Sequence, residues 1–129
     1  MTDAATKTGS VLIAEDDELV LEILTRICRE VFAELVIESD GTAALMALGT
    51  RPFDLLISDL RMPGASGLVL LTEASKLLPA CPLLLISGYA DDEATAQARN
   101  LGAHVLHKPF GAKSLRQAIR NLCPHLTFG

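Results

Sequence analysis

The sequence predicts an α/β fold, in which five parallel strands form one doubly wound sheet with helices on both faces. Two features of the 129-residue chain support this prediction: five short apolar runs alternate with longer segments of helical spacing, and the connections between them are short. Continuous apolar runs suit parallel strands, because such strands are covered on both faces. Short connections between alternating strands and helices build this sheet through right-handed crossovers.

The predicted strands lie at residues 11–14, 35–37, 55–57, 83–86 and 105–106. Several of them are rich in leucine, which is a mediocre strand former, so their composition also permits helix. Their shortness and their polar flanks favour strand.

The first predicted helix carries an apolar stripe with helical spacing, formed by Val20, Ile23, Leu24, Ile27 and Val31. The other four lie at residues 42–48, 68–78, 91–101 and 112–122. Asp91 and Asp92 begin the fourth helix, where negative charge complements the positive end of the helix dipole. The apolar face of this helix is mostly alanine, so we expect it to pack lightly.

The composition restricts the classes of function. Hydrophobic residues make up 50% of the chain and charged residues 21%, which is typical of one globular domain. The formal net charge of −5 argues against binding along a nucleic acid backbone. No apolar run approaches the ~18 residues that a membrane helix requires. We therefore expect no direct nucleic acid partner and no membrane partner.

The domain is predicted to span residues 10–123, between a flexible N-terminal tail at 1–9 and a C-terminal tail at 124–129. The first nine residues, MTDAATKTG, lack the apolar centre of a signal peptide. The three cysteines, Cys28, Cys81 and Cys123, form no CxxC pair. An odd number of scattered cysteines indicates reduced thiols and a cytoplasmic location.

Polar residues follow four of the five predicted strands. They are Glu15-Asp16-Asp17, Asp59, Ser87-Gly88 and Lys108-Pro109. Ligands of such sheets bind beyond the carboxyl ends of the strands, where these groups would meet. Each group alone also has a local explanation; Asp17, for example, is suited to capping the next helix. After the second strand, Ser39-Asp40-Gly41 has the composition of an ordinary turn.

The convergence of carboxylates requires a counter-charge. Two carboxylates about 4 Å apart repel by roughly 4 kcal/mol at an effective dielectric constant of about 20. Oxygen ligands without nearby histidine or cysteine favour a hard ion, Mg²⁺ or Mn²⁺. Such an ion, with Lys108 and the Ser87 hydroxyl, would stabilise the charge that develops in phosphoryl transfer. Asp59 is then the candidate nucleophile, and an aspartyl phosphate the product.

Four segments resemble the receiver domain of two-component response regulators: "VLIAEDDE", "DLLISDLRMPGASG", "LLLISGYA" and "HVLHKPF". They occur in the family's order, one at each strand end, and the resemblance covers residues 10–122. It implies a flavodoxin-like sheet of order 2-1-3-4-5. It also implies that a histidine kinase or histidine phosphotransfer protein transfers a phosphoryl group to one aspartate with Mg²⁺.

The resemblance implies a metal site and assigns its ligands. Asp16 would bind the ion directly and Glu15 through water. Asp59, the implied phosphoacceptor, and the backbone carbonyl of Arg61 would complete the set of protein ligands.

The resemblance also assigns the groups around the phosphoryl group. Ser87 matches the switch hydroxyl, and Lys108 matches the lysine that pairs with the phosphoryl group. The backbone N–H groups of Gly88 and Leu60 would donate to it as well. Pro109 follows Lys108 in a peptide bond that the family usually keeps cis.

Three positions modify this assignment. Val105 stands where receivers often carry an aromatic residue whose inward movement reports the switch. Tyr89 brings an aromatic side chain to the mouth of the site, either as a shield or as an ordinary loop residue. The Arg61 side chain is placed near the entrance, where it would influence attack by water.

The resemblance implies that a downstream protein binds through the fourth helix, fifth strand and fifth helix, with Arg116 and Arg120 as candidate contacts. A homodimer is also possible in the family. The sequence does not decide between a stand-alone receiver and one excised from a hybrid histidine kinase. As a receiver, the chain would only phosphorylate and dephosphorylate itself, and would not be an enzyme acting on other substrates.

Two other functions stay open. A small Mg²⁺-dependent aspartyl phosphatase is disfavoured because such hydrolases carry Asp-x-Asp, and Arg61 occupies the position of the second acid here. A protein-binding module of the same fold that works without phosphorylation is the other alternative.

Overall fold

Strands and helices alternate along the chain in the computed structural model, which describes residues 7–88 and 91–128. The strands are β1 (Ser10–Ala14), β2 (Glu34–Glu38), β3 (Leu55–Asp59), β4 (Leu83–Ser87) and β5 (His104–His107). The helices are α1 (Glu18–Cys28), α2 (Gly41–Leu48), α3 (Gly67–Leu77), α4 (Asp92–Asn100) and α5 (Ala112–Leu122). Each predicted strand and helix is therefore present.

All the strands are parallel and form one sheet of order β2-β1-β3-β4-β5. This confirms the predicted fold class and strand order. Every residue of β3 and β4 is buried, whereas the edge strands β2 and β5 are partly exposed. The continuous apolar runs of the sequence thus belong to strands that are covered on both faces.

Each face of the sheet packs on its own group of helices. Val11, Ile13 and Ile57 contribute to a core with residues of α1 and α5. Their neighbours in the strands point to the opposite face, where Leu12 and Leu56 pack with residues of α2, α3 and α4. This alternation follows from the two-residue period of a strand.

The helix boundaries differ from the predictions at two places that matter below. The stripe of α1 was predicted to continue to Val31, but the helix ends at Cys28 and Val31 packs from the following turn. Helix α4 begins at Asp92, so Asp91 is its N-cap. The N-caps of α1 and α2 are also aspartates, Asp17 and Asp40, and both accept hydrogen bonds from the backbone of the first helical turn.

Residues within both predicted tails contact the domain. The carbonyl oxygen of Gly9 accepts hydrogen bonds from the N–H groups of Ala33 and Glu34 at 3.1 and 3.3 Å. Leu126 and Phe128 pack against the core beneath α1 and α5.

Within residues 7–88 and 91–128, no helix has the length and apolar character needed to cross a bilayer.

Candidate functional site

The register of the sheet brings the acidic residues of two strands to one edge. In the pairing of β1 with β3, Ala14 lies opposite Ser58, so that Glu15 and Asp59 emerge next to each other. In the pairing of β3 with β4, Asp59 lies opposite Ile86, and Ser87 is one residue further along. This edge is the carboxyl end of the parallel sheet, where ligands of doubly wound folds bind.

Glu15, Asp16 and Asp59 form an acidic cluster in which one carboxylate oxygen of each residue lies within 4.8 Å of the others. Glu15 and Asp59 are buried, with 0% and 6% of their surface exposed, whereas Asp16 is exposed. Carboxylate oxygens are the donors that hard divalent cations prefer. The open side at Asp16 gives such an ion a route from solvent to the buried pair.

The buried Glu15 carboxylate has an incomplete set of partners. Its Oε2 accepts a hydrogen bond from the backbone N–H of Asp17 at 3.0 Å. Its Oε1 is buried and has no hydrogen-bond partner among the described residues. Burial, with the nearby charge of Asp59, raises the pKa of Glu15 to about 7, although the Asp17 N–H and Lys108 lower it. A cation at the cluster would supply the positive charge, and a water molecule bound to it would supply the partner that Oε1 lacks.

Lys108 provides the positive charge at the cluster. Its Nζ lies 3.1 Å from Oδ1 of Asp59. Burial raises the pKa of Asp59, and the hydrogen bond and charge of Lys108 oppose this rise only in part. Burial lowers the pKa of Lys108, but the hydrogen bond and charge of Asp59, together with the charges of Glu15 and Asp17, outweigh it, so that the net pKa of Lys108 is raised. The two side chains therefore favour each other's charged forms.

Two further groups predicted to contact the phosphoryl group, the Ser87 hydroxyl and the Leu60 N–H, also lie at this edge and form hydrogen bonds within the chain. The buried Ser87 hydroxyl donates to the carbonyl oxygen of Gly88 at 3.0 Å, and no hydrogen bond joins it to Asp59 within the described residues. The Leu60 N–H donates to the carbonyl oxygen of Ile86 at 3.0 Å, and its hydrogen bond to the Asp59 carboxylate opposes the rise in the pKa of Asp59. The Ser87 hydroxyl would have to exchange or share its bond to contact a group on Asp59. The Lys108–Pro109 peptide bond is cis.

Two glycines fix the loop that follows Asp59. A Cβ on Gly67, the first residue of α3, would lie 2.1 Å from the carbonyl oxygen of Asp59. A Cβ on Gly41, the first residue of α2, would lie 1.8 Å from the carbonyl oxygen of Ala65. Only glycine permits these approaches, so the loop is held between the two helices. The interpretation of Asp40-Gly41 as an ordinary turn missed this role, which no local sequence signal reveals.

The predicted access residues have different surroundings. Arg61 forms an ion pair with Asp91, the N-cap of α4. Its Nε donates to Oδ2 of Asp91 at 3.4 Å. Val105 is half-buried on β5 opposite Leu85 and packs against the core on the α4 side of the sheet. Tyr89 lies outside the described residues.

Comparison with known families agrees with this arrangement. The family model of the response regulator receiver domain matches residues 11–120 of the chain, which includes every residue of the site. The chain belongs to this family. Receivers are signalling modules rather than classical enzymes.

Curated relatives of this receiver are longer proteins. Nodulation protein W of Bradyrhizobium diazoefficiens is 36% identical over 121 residues, which are 92% of this chain and 52% of the relative. Response regulator protein FleR of Pseudomonas aeruginosa is 38% identical over 108 residues, 83% of this chain and 23% of the relative. The DNA-binding transcriptional regulator NtrC of Salmonella typhimurium is 32% identical over 103 residues, 79% and 22% of the two chains. The receiver thus spans about half, or less, of these relatives.

Solved structures share the fold of this receiver. The signal receiver domain of an HD domain-containing protein from Pseudomonas fluorescens Pf-5 has a TM-score of 0.82 at 28% identity, and the match covers 97% of this chain and 92% of that one. A putative response regulator from Chloroflexus aurantiacus has a TM-score of 0.79 at 28% identity, covering 92% and 99%. The strand order and helix placement are therefore those of the family.

Proposed function

We propose that this receiver accepts a phosphoryl group on Asp59 from a histidine kinase or a histidine phosphotransfer protein. A carboxylate oxygen of Asp59 would form the new O–P bond as the P–N bond of the donor's phosphohistidine breaks. The electron pair of that bond stays on the imidazole nitrogen, and Asp59 becomes an aspartyl phosphate. The observation that carries the proposal is the meeting of three carboxylates and one ammonium group at Asp59.

The acidic cluster fits a divalent metal ion. Its donors are all oxygens, and the unpartnered buried Oε1 of Glu15 indicates a place for a cation among the described residues. Asp16, Asp59 and the carbonyl oxygen of Arg61 would hold Mg²⁺ or Mn²⁺ directly, with Glu15 acting through water. When bound, the ion supplies positive charge for the oxygens of the transferred phosphoryl group.

This chain's own groups would then hold the product. Lys108 already lies within hydrogen-bond distance of Asp59 and would pair with a phosphoryl oxygen. The Ser87 hydroxyl would turn from the Gly88 carbonyl toward the phosphoryl group, and the backbone N–H groups of Gly88 and Leu60 would donate to it. Because Val105 is not aromatic, the movement of Ser87 would have to be transmitted by other contacts.

An apolar groove beside the site offers a place for the phosphodonor. The groove has a volume of about 600 Å³ and is lined by Leu19, Val20, Ile23, Lys108, Pro109 and Phe110. Leu19 is 81% exposed, although it is a large apolar residue. An apolar surface next to Asp59 supports docking of a protein donor here, with its histidine directed to the site. We assign the surface formed by α4, β5 and α5 to the downstream protein or to a second copy of the receiver.

The arginines predicted for that downstream surface have partners within the chain. Arg116 donates to both carboxylate oxygens of Glu30, at 2.9 and 2.6 Å. The Arg120 guanidinium lies 4.7 Å from the centre of the Phe128 ring. A partner would therefore have to displace or extend these contacts, which makes the lightly packed α4 the more accessible part of the surface.

The experiment that tests the proposal is incubation with acetyl phosphate and Mg²⁺, followed by intact mass measurement. We expect the protein to gain one phosphoryl group, and the Asp59→Asn variant to gain none. Asp92→Asn, which alters an exposed aspartate on α4, is the matched control and should be phosphorylated like the unaltered protein. Equal phosphorylation of Asp59→Asn, or none in the unaltered protein, would reject the proposal.

Two further measurements, turnover of a phosphoester and partner binding by Asp59→Asn, separate the alternatives. An aspartyl phosphatase would turn over a phosphoester substrate repeatedly, and Arg61, which pairs with Asp91, supplies no second carboxylic acid for that reaction. If the protein is a binding module that works without phosphorylation, its Asp59→Asn variant would bind the partner as well as the unaltered protein does. The pairing of Lys108 with Asp59 favours the phosphoacceptor over both.

A further inference from the structure

Asp91 occupies the N-cap of α4 but does not cap it. Asp17 and Asp40, the N-caps of α1 and α2, each accept backbone N–H bonds from the helix that they begin. The side chain of Asp91 makes no such bond, although its backbone carbonyl accepts from Thr95 N–H at 2.9 Å as an N-cap should. Asp91 thus differs from the other two aspartate N-caps, because its carboxylate does not accept hydrogen bonds from its own helix.

The Asp91 carboxylate is instead paired with Arg61. Its guanidinium pairs with the Asp91 carboxylate, while 77% of its own side chain stays exposed and Asp91 is only 10% exposed. Arg61 lies two residues after Asp59. The pKa of Arg61 is raised by its hydrogen bond to Asp91 and by the charge of Asp91, and also by the charge of Asp59. Arg61 therefore lies within the electrostatic reach of both anions.

Helix α4 is the element that this pairing can influence, because it is weakly anchored. Only Thr95 and Ala98 are buried among its residues. The buried Thr95 hydroxyl has no hydrogen-bond partner within residues 7–88 and 91–128. A small apolar contact area and an unpaired buried hydroxyl both lower the free energy needed to shift the helix.

We propose that Arg61 exchanges Asp91 for the phosphoryl group on Asp59, and that the released Asp91 carboxylate then caps α4. This inference rests on the proposed function, since it requires a phosphoryl group at Asp59. A phosphoryl group carries more negative charge and more acceptor oxygens than a carboxylate, so it competes well for a guanidinium that is mostly exposed. The exchange couples the state of Asp59 to the first turn of α4 without an aromatic residue at position 105.

If Arg61 changes partner, the released Asp91 carboxylate would cap α4 by accepting hydrogen bonds from the backbone N–H groups of Glu93 and Ala94. Residue-resolved hydrogen exchange by NMR measures them. In the unaltered protein, treatment with beryllofluoride and Mg²⁺, which mimics the phosphoryl group, should slow their exchange about fivefold. In Arg61→Ala, Asp91 is already released, so the two groups should exchange slowly before treatment and change little after it.

The controls separate the parts of this inference. Arg51→Ala removes a half-buried arginine that forms an ion pair with Glu34 on the edge strand β2, and this variant should respond like the unaltered protein. Asp91→Ala lacks the cap and should exchange rapidly in both states. The inference is overturned if Arg61→Ala retains the full response of Glu93 and Ala94, or if the untreated variant exchanges as fast as the untreated protein.

Failure of the proposed function gives a different result. If acetyl phosphate and Mg²⁺ add no phosphoryl group to the unaltered protein, the proposed function fails. The comparison of untreated Arg61→Ala with the untreated protein still tests whether Arg61 withholds Asp91 from α4. If the phosphoryl group is added but the two N–H groups respond identically with and without Arg61, the exchange alone is rejected.

Discussion

The Nζ of Lys108, which follows β5, reaches across β4 to lie 3.1 Å from Oδ1 of Asp59 at the end of β3. This ion pair joins residues 49 positions apart in the sequence, by the difference of their residue numbers. It places a positive charge where a phosphoryl group on Asp59 would need one.

Replacing Lys108 with methionine should slow phosphorylation by acetyl phosphate roughly a hundredfold, because a charged donor to the phosphoryl oxygens is lost. The rate of mass gain at fixed acetyl phosphate and Mg²⁺ measures the effect. Lys113→Met alters an exposed lysine on α5 and is the control. Similar rates for the two variants would remove Lys108 from the mechanism.

Replacing Leu19 with glutamate should reduce phosphotransfer from a histidine phosphotransfer protein at least tenfold, since one buried charge in an apolar interface costs about 1.4 kcal/mol or more. Phosphorylation by acetyl phosphate should not change, because this small donor needs no docking surface. Met46→Glu, at a residue 73% exposed on α2, is the matched control. An equal loss with both donors would mean that the substitution damages the site itself.

Replacing Gly67 with alanine should lower the free energy of unfolding by at least about 2 kcal/mol, because the added Cβ would lie 2.1 Å from the backbone oxygen of Asp59. Urea denaturation measures the difference. At Gly49 the nearest atom to an added Cβ is 3.7 Å away, so Gly49→Ala should be tolerated. Equal stability of Gly67→Ala and the unaltered protein would show that the loop after Asp59 is not fixed as described.

The ion pair of Glu30 with Arg116 should make stability depend on pH. The hydrogen bond from Arg116 and the positive charge of Arg116 hold the pKa of Glu30 below the ordinary value of 4.5. A lowered folded-state pKa means that this stabilisation is present above pH 4.5 and is lost as the pH falls through the folded pKa. Glu30→Gln should therefore be less stable by about 1 kcal/mol or less at pH 7, with the difference disappearing in acid.

Unfolding measured from pH 7 to pH 3 checks this expectation, with Glu22→Gln as a control at an exposed glutamate of α1. A difference between Glu30→Gln and the unaltered protein that grows on acidification would have the wrong sign for this ion pair.

Replacing Thr95 with valine should raise the free energy of unfolding by about 1 kcal/mol, because it removes a buried hydroxyl without a partner among the described residues. Thr72→Val is the matched change on α3, where the hydroxyl donates to the carbonyl oxygen of Leu68 at 2.7 Å, and it should not stabilise. Thermal or urea unfolding compares the two. Greater stabilisation by Thr72→Val would contradict the account of α4.

The sequence by itself determined the fold class, the number of strands and helices, and the residues that meet at the carboxyl edge of the sheet. These features follow from local patterns: continuous apolar runs specify buried strands, and polar residues directly after them mark the strand ends. Once the strands are parallel, Glu15, Asp59 and Lys108 must gather at one edge, whatever the exact packing of the helices.

Only the tertiary structure decided how distant segments approach one another. The contact of Gly41 with the loop at Ala65 and the pairing of Arg61 with Asp91 depend on where the helix ends lie over the sheet. Helix position is set by the summed packing of many core side chains, and no short sequence pattern encodes it. The sequence therefore predicted only that Asp91 begins the fourth helix as a favourable charge, whereas in the structure its carboxylate is held by an arginine from another loop.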